Sequence, residues 1–261
     1  MLLNGKLVAI IQARMGSSRL PGKVIKPLQG KPMLWHIINR LKSVGTIDEV
    51  IIATSDLTID DQVASKAFCY KIPCFRGSEV NVLNRFFNAA KKHHGKHLIR
   101  ITGDCPLIDP TTIEKLINFY NSNSFEYCSV ACGAGVAGKV VNKRYPDGLD
   151  AEIFSFNVLN IAENEAISKL HLEHVTPFIW QQPDRFNLGL LFPEKEDYSQ
   201  YRWTVDKEKD FEFIEWIYDK LYPQNNLFSM KDVIKLLSEN PDRANINMHL
   251  LGKEGYEEFW K

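Results

Sequence analysis

The most informative stretch of the sequence is Leu7-Val-Ala-Ile-Ile-Gln-Ala-Arg-Met-Gly-Ser-Ser-Arg-Leu-Pro-Gly-Lys23. Its apolar start, residues 7–11, predicts a buried strand, and small residues follow at once. Small residues let a backbone approach a ligand closely, and Arg14, Arg19 and Lys23 bring three positive charges to the same turn. Such a loop after a first parallel strand is suited to a polyphosphate. A solvated basic turn between a strand and a helix is the alternative.

Strand and helix patterns alternate through the first half of the chain. Short apolar runs rich in β-branched residues predict strands, and apolar positions three and four apart predict helices. The predicted strands cover 7–11, 49–53, 70–75 and 97–101, and the predicted helices cover 32–44, 60–68, 80–92 and 110–120. This alternation with short connections predicts a mostly parallel sheet covered on both faces, a Rossmann-like three-layer α/β sandwich. Ligands of such sheets bind at the carboxyl ends of the strands.

The alternation breaks after about residue 124. We predict strands at 125–131, 150–156, 188–192 and 202–205, and helices at 158–165, 172–182, 211–221 and 230–237. The small-residue stretch 133–143 predicts a mobile loop or a hairpin arm. Because repeats, low-complexity segments and linkers are absent from the sequence, we expect residues 1–261 to form one domain.

Charge and composition exclude several classes of partner. The 32 basic residues balance the 32 acidic ones, which gives no reason to expect a nucleic acid or an anionic membrane as partner. The sequence has no apolar run of the roughly 20 residues that span a bilayer. Met1-Leu-Leu-Asn-Gly-Lys6 leads into the first strand without the layout of a secretory signal, so we expect a cytoplasmic protein.

The cysteines and one cluster of histidines are the other residues in the sequence that could bind a metal. The five cysteines include no close C-x-x-C pair, which argues against a zinc site and a disulfide framework, so we expect mostly buried thiols. His93, His94 and His97 are close in sequence, but they lie where a helix ends and a strand begins. We therefore do not expect a functional metal there.

Two acids each follow a predicted strand. Asp104 ends the segment Arg100-Ile-Thr-Gly-Asp104, at the same sheet edge as the basic loop. One carboxylate beside a polyphosphate is what Mg²⁺ needs, because waters and phosphates complete its octahedron. The alternative is a helix cap, but Asp109 before Pro110 is the better cap candidate. Asp206 ends a second strand and is either a second metal ligand or an N-cap.

Together these segments resemble the cytidylyltransferases that activate acidic sugars. The first loop matches the family pattern A-R-x-G-S-x-R-x-P-x-K and its G-K-P-[ML] continuation at 30–34. Asp104 and Asp206 stand where the family places its magnesium aspartates, and residues 76–78 match the segment associated with the cytosine base. Among the family's branches, the chain looks most like the spore-coat polysaccharide biosynthesis branch. The nucleotide-diphospho-sugar transferase type of α/β fold is the expected architecture.

The resemblance implies roles for individual residues. The nucleotide would be bound by Ala13, Arg14, Gly16, Ser17, Arg19, Lys23, Arg76 and Ser78. Catalysis would rest on Arg14, Lys23 and Asp104, with Mg²⁺ as cofactor on Asp104 and Asp206. The partners implied are CTP and an acidic small-molecule acceptor. Related enzymes form homodimers, here expected through the irregular segment 124–185.

Two departures concern the acceptor. The octulosonate branch has Gly-Asp-Glu-Pro where this chain has Gly103-Asp-Cys-Pro106, so Cys105 replaces a carboxylate. The sialate branch has Lys-Asn where Val24 follows Lys23 here. Both differences leave the identity of the acceptor sugar undetermined, but neither changes the expected nucleotidyl-transfer chemistry.

Residues 145–152 and 173–177 resemble the acceptor-side motifs of the family. Arg144 and His174 are candidates for binding a substrate carboxylate. The candidates for binding hydroxyls, amines or a metal are Asp147, Asp150 and Glu152, while Tyr145 and Glu173 complete the motifs. A Pro-Asp-Gly turn and a core histidine are the structural alternative. We expect the later aromatic residues, including Tyr198, Tyr201 and Trp203, in the core, and Asp210 facing solvent on a first helical turn.

The sequence therefore predicts transfer of CMP from CTP to an acidic sugar, with release of pyrophosphate, for surface polysaccharide biosynthesis. An acceptor that is a phosphonate or a sugar phosphate is one alternative. A glycosyltransferase that consumes a nucleotide sugar is another, although such enzymes place a D-x-D pair after a strand and this chain has Gly103-Asp104-Cys105. A non-catalytic nucleotide sensor would not need two acids at strand ends.

Overall fold

The computed structural model describes residues 3–132 and 143–250, and a central sheet runs through them. Over these residues the sheet has seven strands, and a separate two-stranded hairpin follows the first loop. In chain order the strands are β1 Leu7–Gln12, β2 Pro27–Leu28, β3 Lys31–Pro32, β4 Glu49–Ser55, β5 Cys74–Gly77, β6 His97–Thr102, β7 Tyr127–Val130, β8 Ala151–Ser155 and β9 Leu188–Leu191. The hairpin consists of β2 and β3.

Strand direction brings the predicted site segments to one edge. The sheet order is β5-β4-β1-β6-β8-β7-β9, with β8 antiparallel to both of its neighbours and the other pairs parallel. Gln12 at the end of β1 pairs with Thr102 at the end of β6. Ala151 at the start of β8 pairs with Ile101. The first loop, Asp104 and the segment before β8 therefore emerge side by side.

Helices cover both faces of this sheet. They are α1 Met33–Lys42, α2 Asp61–Cys69, α3 Val82–Lys92, α4 Pro110–Ser122, α5 Phe156–Glu165, α6 Lys169–His174, α7 Pro177–Trp180, α8 Glu208–Leu221, α9 Met230–Glu239 and α10 Pro241–Ala244. Along β1, Ala9 and Ile11 pack into the core on one face, while Val8 and Ile10 pack into the core on the other. The predicted three-layer α/β sandwich with a mostly parallel sheet is confirmed.

One predicted helix is wrong. The span 172–182 is broken into α6 and α7, and Val175 between them has a φ of 71°. The positive φ of Val175 takes the chain out of helical conformation and ends α6, and Pro177 fits the first turn of a new helix. The break turns His174, at the end of α6, toward the carboxyl edge of the sheet, where it lines a cavity.

The predicted strand 202–205 is also wrong. This segment makes a single bridge, between Arg202 and Asp147, and otherwise crosses the ends of the strands. Its Trp203 N–H donates to Asp147 O at 2.6 Å, and its Val205 N–H donates to Asp104 O at 2.9 Å. A segment that crosses strand ends has no parallel edge to pair with, so alternating apolar residues do not make it a strand.

Smaller differences concern boundaries and buried groups. The strand predicted at 70–75 lies later, at β5, and all but one residue of the loop predicted at 133–143 lies outside the described residues. Of the cysteines, Cys105, Cys128 and Cys132 are buried, whereas Cys69 is exposed. None of the helices described in 3–132 and 143–250 has the length and apolar character to cross a membrane.

Candidate active site

The first loop is folded into a compact turn at the end of β1. Ser17 N–H and Gly22 N–H both donate to Met15 O, at 2.9 and 3.0 Å. Met15 N–H in turn donates to Asp60 Oδ1 at 2.6 Å. Gly22 has a φ of 72°, a left-handed conformation that favours glycine. Asp60 was not expected to hold this loop, because only the folded chain brings it near residue 15.

The two acids predicted as metal ligands meet at one lysine. Lys23 Nζ donates to Asp104 Oδ2 and to Asp206 Oδ1, each at 3.0 Å, and to Val205 O at 2.7 Å. Arg19 Nη2 lies 2.9 Å from Asp206 Oδ1. Burial of Lys23 would lower its pKa, but the two carboxylates outweigh burial and raise the pKa above its ordinary value. Lys23 is therefore a charged ammonium between the two acids.

Asp104 is ionised at neutral pH. Burial would raise its pKa, but the Lys23 charge and hydrogen bonds from Thr102 and Lys23 lower the pKa to about 2. Glycine is needed before it, because a Cβ on Gly103 would lie 2.9 Å from Gln12 O. The ends of β1 and β6 can therefore approach closely enough to set Asp104 beside the basic loop.

A buried arginine, Arg202, contacts Asp206 and two further acids. One of them is Asp210, and the prediction that Asp210 faces solvent is wrong. Asp210 is fully buried and accepts from Arg202 Nε at 3.1 Å. The guanidinium also contacts Asp147 Oδ2 at 2.9 Å and Asp206 Oδ2 at 3.2 Å. Burial would lower the pKa of Arg202, but the three carboxylates raise it. Sequence reasoning missed Arg202, whose signal was its place in the segment that carries Asp206.

Two cavities meet at Asp104. The first is lined by the loop residues Ala13, Arg14, Ser17, Arg19 and Lys23. The second has a volume of about 850 Å³, part of it open to solvent, and its wall includes Asp147, Asp150, Glu152 and His174. Thr102, Asp104 and Asp206 line both cavities. A group held in one cavity therefore faces a group held in the other across Asp104.

The acceptor-side candidates separate into two groups. Asp147, Asp150, Glu152 and His174 line the second cavity, whereas Arg144, Tyr145 and Glu173 are not part of its wall. Glu152 is engaged by neighbours: it accepts from the Tyr127 and Thr176 hydroxyls and pairs with Arg100. Burial, with the Arg100 charge nearby, lowers the pKa of His174, so this imidazole is mostly neutral at pH 7.

The segment predicted to contact the base packs against residues 55–61, which follow β4. Arg76 donates to Ser55 O and Leu57 O and pairs with Asp61 at 2.6 Å, while Ser78 Oγ accepts from Asn81 N–H. Neither Arg76 nor Ser78 lines the two cavities. Their role in base recognition stays a prediction.

Residues next to that segment were missed by sequence reasoning. Arg14 Nη1 lies 2.6 Å from Glu79 Oε1, and a Cβ on Gly16 would lie 3.7 Å from the same oxygen. The buried Arg85 donates to Ser78 O at 2.7 Å. Of the aromatic residues expected in the core, Trp203 is fully buried, whereas Tyr198 and Tyr201 are only half-buried.

Comparisons with known proteins identify relatives that match most or about half of the chain. The spore coat polysaccharide biosynthesis protein SpsF of Bacillus subtilis is 32% identical over 244 residues, covering 91% of this chain and 96% of SpsF. The 8-amino-3,8-dideoxy-manno-octulosonate cytidylyltransferase of a Shewanella strain is 33% identical over 136 residues, covering 51% of this chain and 55% of that protein.

A solved structure and a family model agree with these relatives. The structure of a cytidylyltransferase from Leptospira borgpetersenii superposes with a TM-score of 0.82 at 29% identity, covering 92% of this chain and 97% of that one. The family model described as cytidylyltransferase matches residues 8–234. That span contains the basic loop, Asp104 and Asp206, and it includes every lining residue of both cavities. The chain belongs to the cytidylyltransferase family.

Proposed function

We propose that this protein transfers CMP from CTP to an acidic sugar, with release of pyrophosphate, in a Mg²⁺-dependent reaction of surface polysaccharide biosynthesis. The observation that carries the proposal is the junction of two cavities at Thr102, Asp104 and Asp206. A triphosphate in the loop cavity would present its α-phosphorus toward an acceptor oxygen in the second cavity. In-line attack there needs mainly positioning and charge neutralisation.

The loop residues supply the groups that a triphosphate needs. Arg14, Arg19 and Lys23 would bind the β- and γ-phosphates and stabilise the leaving pyrophosphate. The backbone at Ala13, Gly16 and Ser17 lies at the same turn, where close approach to phosphate is possible. Arg76 and Ser78 would act on the cytosine side through the segment that packs beside Arg14.

The donor set fits Mg²⁺. Asp104 is ionised and lies at the junction; its Oδ2 accepts from Lys23, and its Oδ1 accepts a weak hydrogen bond from the Cys105 thiol at 3.6 Å. Asp206 pairs with Lys23, Arg19 and Arg202, so it would become available as phosphates draw the loop cations away. One or two protein carboxylates with substrate phosphates are the usual Mg²⁺ environment. Bound there, the ion would neutralise phosphate charge and lower the pKa of an attacking hydroxyl.

An acidic sugar suits the second cavity better than a phosphorylated acceptor. A phosphate or phosphonate dianion would meet the carboxylates of Asp104, Asp150 and Asp206 on the same wall. SpsF acts in polysaccharide biosynthesis by its name, and the Shewanella relative takes an octulosonate. Membership of the cytidylyltransferase family favours free CTP over the nucleotide sugar that a glycosyltransferase would consume.

The irregular segment 124–185 is the acceptor-binding part of what we propose is a single domain over 1–261. Asp147, Asp150, His174 and Trp180 from this segment line the second cavity. We further propose that the same segment forms a homodimer, which light scattering on a sizing column tests directly. Since the reaction consumes a nucleoside triphosphate, we propose that it takes place in the cytoplasm.

Calorimetry with CTP, ATP, GTP and UTP, with and without Mg²⁺, tests the donor. We expect Mg²⁺-dependent binding with a preference for CTP, followed by pyrophosphate release when an acidic sugar is added. Equal or absent binding of the triphosphates, with binding of a nucleotide sugar instead, would contradict the proposal.

Asp104→Asn tests the residue at the junction. Turnover should fall by at least ~10²-fold, the scale of losing one preorganised charge-stabilising group. Asp242→Asn, which changes an exposed carboxylate outside both cavities and outside segment 124–185, should leave turnover unchanged. Near-normal turnover of Asp104→Asn would remove Asp104 from the proposed metal site.

A further inference from the structure

The carboxylates of the second cavity differ in whether a cation neutralises them. Four of the five have a cationic partner: Asp104 with Lys23, Asp147 with Arg202, Glu152 with Arg100, and Asp206 with Lys23, Arg19 and Arg202. Asp150 is the fifth, and within residues 3–132 and 143–250 no lysine, arginine or histidine forms an ion pair with it. Asp150 therefore brings an uncompensated negative charge to the cavity wall.

The backbone holds Asp150 in this position. Gly148 N–H donates to Asp150 Oδ2 at 2.8 Å, so the carboxylate closes a short turn just before β8. Gly148 has a φ of 104°, and a Cβ there would lie 2.5 Å from Trp203 C and Thr204 N. Because that turn is packed against the 202–206 segment, the carboxylate cannot easily swing away to solvent.

An ionised carboxylate without a cation is costly in such a place. Burial, with the nearby charges of Asp104 and Glu152, raises the pKa of Asp150 to about 6. At pH 7 the group is still mostly ionised, and its charge lacks a partner. The unneutralised carboxylate of Asp150 is therefore the group of this wall that a cationic ligand would satisfy.

We infer that Asp150 recognises a cationic group of the acceptor, so that the acceptor is an acidic sugar that also carries a protonated amine. This inference rests on the proposed function, and it narrows the class of acceptor. A hydroxyl would hydrogen-bond to Asp150 and leave its charge in place, whereas an ammonium would neutralise it.

Matched pairs of sugars test the inference. The members of each pair differ only in an amine or a hydroxyl: 8-amino-3,8-dideoxy-manno-octulosonate against 3-deoxy-manno-octulosonate, and 2-amino-2-deoxymannuronate against mannuronate. Affinities are measured by calorimetry on the full chain with Mg²⁺ and a non-reactive methylene analogue of CTP. In at least one pair we expect the amino sugar to bind about 10- to 100-fold more tightly, the range for hydrogen bonds between charged groups.

Asp150→Asn tests whether the preference for the amino sugar depends on Asp150. The substitution keeps the size of the side chain, and we expect it to abolish the preference for the amino sugar. Asp242→Asn removes an exposed carboxylate outside both cavities and should retain the preference. Equal binding within both pairs, absence of sugar binding, or a preference that survives Asp150→Asn would each overturn the inference.

Two further readouts separate the possible failures. If the CTP analogue itself does not bind, the proposed function fails; if it binds and the amine preference is absent, only the present inference fails. Titration of Mg²⁺ into the Asp150→Asn variant, in the presence of the CTP analogue, tests whether Asp150 binds Mg²⁺ instead of an amine. Weakened Mg²⁺ binding with an unchanged sugar preference would make Asp150 a metal ligand and overturn its role toward an amine.

Discussion

The ammonium of Lys23 lies 3.0 Å from Asp104 Oδ2, which joins the basic loop to the acid at the junction of the two cavities. Lys23→Met keeps the length of the side chain and removes its charge. Because this charge would stabilise the leaving pyrophosphate, we expect turnover to fall by about 10²- to 10³-fold. Initial rates of pyrophosphate release with CTP and an acidic sugar measure the loss.

Lys26→Met is the matched control for that substitution. Lys26 lies three residues further on and pairs with Glu208 at 2.6 Å, outside both cavities. We expect its turnover to stay near that of the wild type. If Lys23→Met keeps turnover within a few-fold of the control, Lys23 serves only to neutralise Asp104 and Asp206 in the free protein.

The ion pair between Arg202 and Asp210 should matter for stability. Asp210→Asn leaves the guanidinium with two acids instead of three and turns an amide toward the N–H groups of Asp206 and Lys207. Removing one partner of a buried ion pair typically costs about 3–5 kcal/mol. We expect a loss of that order in the free energy of unfolding, measured by urea denaturation.

Glu212→Gln provides the comparison on the same helix. Glu212 is exposed on α8, two residues after Asp210. Its substitution should change the free energy of unfolding by less than about 0.5 kcal/mol, as surface changes usually do. Equal effects of the two substitutions would mean that the Arg202 cluster contributes little to folding.

Local signals predicted the elements that place Asp104. An apolar run at each of β1 and β6 ends just before a small-residue turn, and parallel strands bring such ends to one edge. Pairing of Gln12 with Thr102 then sets the basic loop beside Asp104. The strand ends depend on patterns within about ten residues, so they could be predicted from the sequence, whereas the direct pairing of β1 with β6 joins residues far apart in the chain.

Side-chain partners that are far apart in the chain could not be predicted from the sequence in the same way. Asp210 stands in the first turn of a helix, a position typical of exposed acids, but Arg202 lies eight residues before it and Asp147 a further 55. Only the crossing of the 202–206 segment over the strand ends brings the three together. At Val175 the apolar spacing continued a helix, and Pro177 was the one local signal against it.

Gly148 should tolerate substitution much less well than Gly30. Both have positive φ, 104° and 72°, but a Cβ on Gly148 meets backbone atoms at 2.5 Å whereas a Cβ on Gly30 has open space. Gly30→Ala should cost about 1 kcal/mol of backbone strain, and Gly148→Ala about 2–5 kcal/mol because overpacking adds to strain. Thermal unfolding of both variants measures the difference. Equal losses of stability would show that the turn at Gly148 rearranges to accommodate the added Cβ.

Asp150→Asn should stabilise the free protein at neutral pH. The pKa of Asp150 is raised from 3.8 to about 6 in the folded state. Between these values the folded chain binds a proton that the unfolded chain lacks, so this group's contribution to stability falls as pH rises from about 4 to about 6. Above that range the full cost of the ionised carboxylate is present. One pKa unit is about 1.4 kcal/mol, so we expect a gain of about 1–3 kcal/mol near pH 7.5.

Urea denaturation of the wild type and Asp150→Asn at about pH 4 and pH 7.5 measures this gain, which should nearly vanish at the lower pH. Asp147→Asn is the contrasting variant, since Asp147 lies 2.9 Å from the buried Arg202 guanidinium and its loss should destabilise the protein at pH 7.5. Destabilisation by Asp150→Asn at pH 7.5 would mean that this carboxylate already has a partner. A gain in stability together with a loss of acceptor binding would identify Asp150 as a residue kept for function at the expense of folding.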